Sequence, residues 1–128
     1  MTGAKMNGMP ASLAGKRVLV VEDRYLIARD MCRAIRELGG APLAPAGDLA
    51  SARDAISRTA PDLVLVDMNL RDEMASPLVH ELRDKGIPFI LATGYEDWML
   101  PADIRGSPRV EKPVTARTLR HVVEGLQP

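Results

Sequence analysis

The sequence predicts an α/β domain: a five-stranded parallel sheet in the order 2-1-3-4-5 with helices on both faces. Three observations predict it. Short apolar runs such as Val18-Leu19-Val20-Val21 recur along the 128 residues, stretches with apolar side chains at helical spacing separate them, and polar residues close four of the runs. The length suits one domain with an ordinary core. A hydrophobic fraction of 46% beside 27% charged residues argues against disorder, and no apolar run approaches the length that crosses a bilayer. Lys+Arg and Asp+Glu both number 17, so no basic field attracts nucleic acid, and neither nucleic acid nor membrane is expected as a partner. A single cysteine, Cys32, precludes an internal disulfide, and the opening residues carry no apolar secretory segment, which makes the cytoplasm the expected compartment.

Residues 1–15 mix Gly, Ala, Met, Ser and Pro10 without periodicity and read as a flexible leader, with the folded domain expected over 16–128. Arg17 to Val21 reads as a buried strand, and Ile27, Met31, Ile35 and Leu38 mark a helix that stops at Gly39-Gly40. Ala41 to Ala46 is a strand weakened by Pro42 and Pro45, which lack amide hydrogens, so an edge position suits it. Leu49, Ala52 and Ile56 mark a second helix. The clearest strand runs from Asp62 to Asp67, and Ser76-Pro77 then opens a helix that carries Leu78, Val79 and Leu82 and closes at Gly86. Ile87 to Thr93 is a fourth strand, Val110 centres a short fifth, and Thr115 caps a last helix bearing Leu119, Val122, Val123 and Leu126. Between Thr93 and Pro108, Gly94, Gly106 and Pro101 leave room only for a short or irregular fourth helix.

Polar residues close four of the strands at their carboxyl ends: Glu22 and Asp23 after the first, Asp67 at the third, Thr93 at the fourth, Lys112 after the fifth. In an open parallel sheet ligands bind at that edge, and the order 2-1-3-4-5 makes the four strands neighbours spaced by about 4.8 Å. Three gathered carboxylates repel, each pair by roughly 4 kcal/mol at ~4 Å and an effective dielectric near 20. Lys112 compensates one charge, and an oxygen-rich cluster with room for water suits Mg²⁺, which is completed by substrate phosphate. Asp67 can then serve as a carboxylate nucleophile that forms an aspartyl-phosphate, with Thr93 donating to one phosphoryl oxygen and Lys112 acting as a point charge on another.

VLVVEDRYLIARDM, LVLVDMNL, the LATG stretch and EKPV resemble, in order and over about residues 16 to 127, the four signature regions of two-component response-regulator receiver domains, a flavodoxin-like fold. The resemblance implies that Asp67 is the phospho-acceptor and that Glu22, Asp23 and Asp67 hold a divalent metal, Mg²⁺ or Mn²⁺, together with the backbone carbonyl of Asn69. It implies that Thr93 and Lys112 sense the phosphoryl group and that the Lys112-Pro113 bond is cis. Pro88-Phe89-Ile90-Leu91-Ala92-Thr93-Gly94-Tyr95 is similar to the motif of the FATGUY receivers, departing from it at Leu91. That subgroup implies a stand-alone regulator, a sensor histidine kinase of the HWE or HisKA2 class or a histidine phosphotransfer protein as partner, and a place in stress signalling. Most receivers carry a switch aromatic three residues before the lysine, where this chain has Arg109. The usual relay is therefore replaced, and the segment from Gly94 to Ser107, with Tyr95, Trp98 and Arg109, is expected to be the moving part and the partner surface.

Taken singly, these residues have plainer readings: Asp67 as a turn acid, Glu22 and Asp23 as caps on the first helix, Thr93 as a strand residue, Lys112 as a solvated charge. Trp98 serves equally as a local anchor or a partner contact. His80 and His121 lie on separate helices without neighbouring ligand-type residues, and Cys32 reads as a small buried hydrophobe. Other functions fit less well. A phosphatase of the haloacid-dehalogenase type wants a second Asp where this chain has Asn69, and a nucleotide or flavin module wants a Gly- or Ser-rich first loop where it has Glu22-Asp23-Arg24-Tyr25. A receiver-like binding module that does not use phosphate remains open through Arg109. The expected activity is confined to the chain's own Mg²⁺-dependent phosphorylation and dephosphorylation, read out by protein contacts.

Overall fold

The computed structural model describes residues 11–70, 73–94 and 100–126. A 3-10 turn at Ala11–Leu13 leads into β1 (Arg17–Val21), α1 (Tyr25–Glu37), β2 (Ala41–Pro42), α2 (Leu49–Thr59) and β3 (Leu63–Asp67). There follow β4 (Asn69–Leu70), β5 (Glu73–Met74), α3 (Ser76–Lys85), β6 (Phe89–Thr93), β7 (Arg109–Glu111) and α4 (Ala116–Gly125). Five strands form one parallel sheet in the order β2-β1-β3-β6-β7. Counted within the sheet alone this is the expected 2-1-3-4-5. The antiparallel ribbon β4-β5, two residues on each side, follows β3 directly and was not anticipated, because two-residue strands leave no periodicity to read.

Alternation along the strands divides the core in two. Leu19, Val21, Val64, Val66 and Leu91 face α2 and α3, whereas Val18, Val20, Leu65, Ile90, Ala92 and Val110 face α1 and α4. Because both faces are covered, β1 from Val18 onward and β3 throughout are buried on every residue, which is why their sequences read as unbroken apolar runs. The edge strand is shorter than the expected Ala41 to Ala46. Pairing covers Ala41 and Pro42, and after Pro45 it resumes at an isolated bridge between Val21 and Ala46.

Helix ends follow local chemistry. Asp48 caps α2 by accepting the Ser51 amide at 2.7 Å, and Thr115 forms a reciprocal capping box with Thr118 on α4. Gly86 ends α3 at φ +71°, a left-handed conformation that glycine adopts without a Cβ clash. Arg17, at the start of β1, hydrogen-bonds the carbonyls of Thr59 and Ala60 and so satisfies the end of α2. The Lys112-Pro113 bond is cis.

Two parts differ from the sequence reading. Leu13, assigned there to the leader, is buried under the sheet and donates its amide to the Leu38 carbonyl at 3.0 Å. Between β6 and β7 the described stretch Leu100–Pro108 contains turns rather than a helix, with Ile104 and Ser107 donating to the carbonyls three residues earlier at 3.1 and 3.0 Å. Among the described residues no helix is long and apolar enough to cross a membrane.

Gly40 is required by close approach: a Cβ there would lie 2.8 Å from Ile35 Cγ2 and 3.1 Å from Leu13 Cβ. Gly40→Ala is expected to lower the unfolding free energy by roughly 1–3 kcal/mol through overpacking, measurable by urea denaturation.

Candidate functional site

Register brings the polar strand ends together. Val21 pairs with Val66, Asp67 with Ala92 and Thr93 with Glu111, so Glu22, Asp67, Thr93 and Lys112 stand along the carboxyl edge of four adjacent strands. The Lys112 amide donates to the Thr93 carbonyl at 2.8 Å, which fixes the last of them beside the hydroxyl. Glu22, Asp67 and Thr93 are buried although each bears a polar end, whereas Asp23 is only half-buried. Nothing in the spacing of Glu22-Asp23 distinguishes the two. The difference arises because the chain leaves the sheet between them.

The Lys112 ammonium bridges two carboxylates, 2.9 Å from Asp67 Oδ1 and 3.2 Å from Glu22 Oε1. Asp67 Oδ1 also accepts the Asn69 amide at 3.1 Å, and Glu22 Oε2 accepts the Arg24 amide at 3.1 Å, just before α1 begins. That amide belongs to the residue before α1, and no side chain caps the helix, so Glu22 does not serve as its cap. Among the described residues neither Asp67 Oδ2 nor the Thr93 hydroxyl has a hydrogen-bond partner. Buried polar atoms are seldom left so, and at a site they mark the direction from which a ligand bonds.

One oxygen each from Glu22, Asp23 and Asp67 lies within 4.8 Å of the other two. An all-oxygen, triply acidic group of this size could hold a hard divalent cation. Burial, and after it the Asp67 charge, pushes the Glu22 carboxyl up to about 7 against the pull of the Arg24 amide and Lys112. A proton on Glu22 thus relieves the repulsion that a cation would otherwise relieve.

Gly94 follows Thr93 directly, and Arg109 sits at the start of β7. Tyr95 and Trp98 lie outside the described residues. His80 meets Asp103 across 23 positions with Nε2 2.6 Å from Oδ2, and Arg109 donates to the Arg105 carbonyl at 2.8 Å. Neither contact has a signal in linear spacing. Cys32 is buried, its thiol pushed up by burial more than Arg36 lowers it, as suits a small hydrophobe.

A doubly wound parallel sheet with an acidic cluster, a hydroxyl and a lysine at its carboxyl edge defines a class of α/β domains whose ligand site lies at the strand ends. Known proteins narrow the class. The chain is 35% identical over 101 residues to the probable transcriptional regulatory protein TcrX of Mycobacterium tuberculosis, a match covering 75% of this chain and 43% of the relative, so it spans less than half the relative's length. Its structure is similar to that of SdrG from Sphingomonas melonis Fr1, at TM-score 0.77 and 28% identity, covering 90% of this chain and 97% of that one. The BeF3-activated conformation of SdrG from Pseudomonas melonis Fr1 matches at TM-score 0.76 and 29% identity, over 88% and 97% of the two chains. The PhyR response-regulator receiver domain of Erythrobacter litoralis matches at TM-score 0.75 and 28% identity, over 88% and 89%. No family profile matches the chain. By fold and by these relatives the chain is a response-regulator receiver domain of two-component signalling.

A carboxyl whose folded value lies above its unfolded one stabilises the fold at low pH and ceases to do so as pH rises through the folded value. In the presence of a chelator the melting temperature is expected to fall as pH rises from 4.5 to about 7. Glu22→Gln is expected to flatten that fall in a calorimetric pH series.

Proposed function

We propose that the domain accepts a phosphoryl group on Asp67 from a phosphohistidine donor and signals through altered protein contacts. The observation that carries the reading is the state of Asp67: one oxygen is held by Lys112 and the Asn69 amide, while the other, in the same acidic cluster, has no hydrogen bond among the described residues. Oδ2 attacks phosphorus, the P–N bond breaks, and its electron pair passes to the ring nitrogen, which takes up a proton. Lys112 sits where it can follow the charge as it moves from the carboxylate to the phosphoryl oxygens, and the Thr93 hydroxyl supplies a donor with no prior engagement to give up. Burial keeps competing water from the acyl phosphate.

The acidic trio fits Mg²⁺, with Glu22, Asp23, Asp67 and the Asn69 carbonyl as the residues that would hold it. When bound, the ion supplies positive charge opposite the phosphoryl oxygens. The proposed donor is a sensor histidine kinase, of the HWE or HisKA2 class, or a histidine phosphotransfer protein. The activated SdrG conformation and the PhyR receiver domain support this reading by likeness.

Two measurements test it. Incubation with a small acyl-phosphate donor and Mg²⁺ is expected to add one phosphoryl mass to the wild type and none to Asp67→Asn or to chelated protein. Should a panel of phosphorylated histidine kinases also leave the wild type unmodified, the phosphate-independent binding module becomes the better reading. Mg²⁺ is also expected to raise the melting temperature, with Asp23→Asn shrinking the rise; an equal rise in both would remove Asp23 from the site.

A further inference from the structure

A groove of about 490 Å³ opens at the end of the sheet opposite the acidic cluster. Lys16, Asp62, Pro88 and Pro108 line it where β1, β3, β6 and β7 begin, and Val123 and Leu126 close it from the end of α4. Its polar groups are largely taken. Pro88 and Pro108 have no amide hydrogen, and their carbonyls already accept the amides of Val64 and Leu91 at 3.0 and 2.9 Å. The Asp62 carboxylate accepts the Arg17 amide at 2.8 Å and lies 3.6 Å from the same residue's guanidinium. Lys16 is exposed at the rim, where its ammonium can stay in water. What remains is apolar: Phe89 is half-buried there, and Leu126 is 40% exposed. Such a surface calls for an apolar occupant.

The chain itself enters at this groove. Ser12 lines it together with the buried Leu13, and the turn that holds both is tied to the end of α1 by the Leu13 amide on the Leu38 carbonyl at 3.0 Å. Residues 1–10, which lie outside the described residues, are thus joined to a fixed point on the groove's lip. An extended chain spans at most about 3.6 Å per residue, so the Met9 backbone, three positions before Ser12, stays within about 11 Å of it. A tether that short holds a segment at an effective concentration in the millimolar range, above that of most free partners. The stretch 1–10 contains no Asp or Glu and supplies Met6 and Met9. Methionine is unbranched and fills irregular apolar gaps, and its sulfur packs favourably against an aromatic ring, which here is that of Phe89.

We propose that this groove seats the chain's own residues 6–10, with Met9 as the anchor against Phe89 and Leu126. The opening stretch then serves as a strap that closes the amino end of the sheet and covers apolar surface that a second copy or another protein would otherwise meet. The strap is independent of the phospho-acceptor reading, since it lies at the opposite end of the strands.

The test uses the full chain and the methionines already in it. Hydrogen peroxide oxidises accessible thioethers, and peptide mapping by mass spectrometry follows each one. Met74, 48% exposed, sets the fast rate, and the buried Met31 and Met68 set the slow one. Met9 is expected to oxidise several-fold more slowly than Met74. It is expected to reach the rate of Met74 in Leu126→Asp, which puts a charge in the seat, with Met31 and Met68 still slow. In protein carrying carbon-13 methyl methionine, the Met9 methyl is expected to show a nuclear Overhauser contact with the ring of Phe89, the chain's single phenylalanine. Oxidation of wild-type Met9 as fast as Met74 overturns the proposal. So does slow oxidation that disappears on dilution together with a dimer in light scattering, because the occupant is then a second copy. Absence of the methyl–ring contact overturns it as well, whatever the rates. If Leu126→Asp leaves Met9 slow, or speeds Met31 and Met68 by unfolding the domain, that contact in the wild type decides by itself.

Discussion

Repulsion among Glu22, Asp23 and Asp67 is the constraint on which the rest of the structure depends. Two carboxylates about 4 Å apart oppose each other by roughly 4 kcal/mol at an effective dielectric near 20, and burial of two of the three adds a desolvation cost. Separation would remove the strain, but the fold does not permit it. Glu22 follows directly on β1 and Asp67 ends β3, and those strands are paired over four residues inside a core closed on both faces. The hydrophobic scaffold thus forces together groups that would otherwise part, and Lys112 and the raised proton affinity of Glu22 are the local compensations.

The compensation is incomplete in a directed way. Lys112 reaches Asp67 through Oδ1 and leaves Oδ2 without a hydrogen bond, and the Thr93 hydroxyl nearby lacks a hydrogen-bond partner among the described residues. An acceptor and a donor left over on neighbouring strands are complementary deficits: Oδ2 calls for a cation, a donor or an electrophile, and the Thr93 hydroxyl for an acceptor. Placement on strand ends keeps that geometry firm, since the backbone of β3 and β6 is fixed by ladders on both sides.

The sheet was legible because burial on both faces writes itself as runs of Val, Leu and Ile, and because Pro42 and Pro45 confine their strand to an edge. The site was legible because strand ends fall at the ends of those runs, so Glu22, Asp67, Thr93 and Lys112 could be placed on one edge from topology alone. Other features had no such mark. The unequal burial of Glu22 and Asp23 depends on where the chain turns off the sheet, and the His80–Asp103 and Arg109–Arg105 contacts depend on how α3 and β7 meet a stretch without periodicity. Arg109 stood out in sequence only as a departure from a pattern, with no indication of what it touches.

Leu13 carries a practical consequence. Its side chain fills the end of the sheet opposite the acidic cluster, and its amide occupies the Leu38 carbonyl where α1 finishes. A chain trimmed to begin at Lys16, the start that periodicity suggests, would keep every residue of the cluster yet open a hole beneath β1 and strand a carbonyl at the close of its first helix. Loss of signalling in such a shortened protein would then report a loosened foundation and say nothing about the chemistry above it.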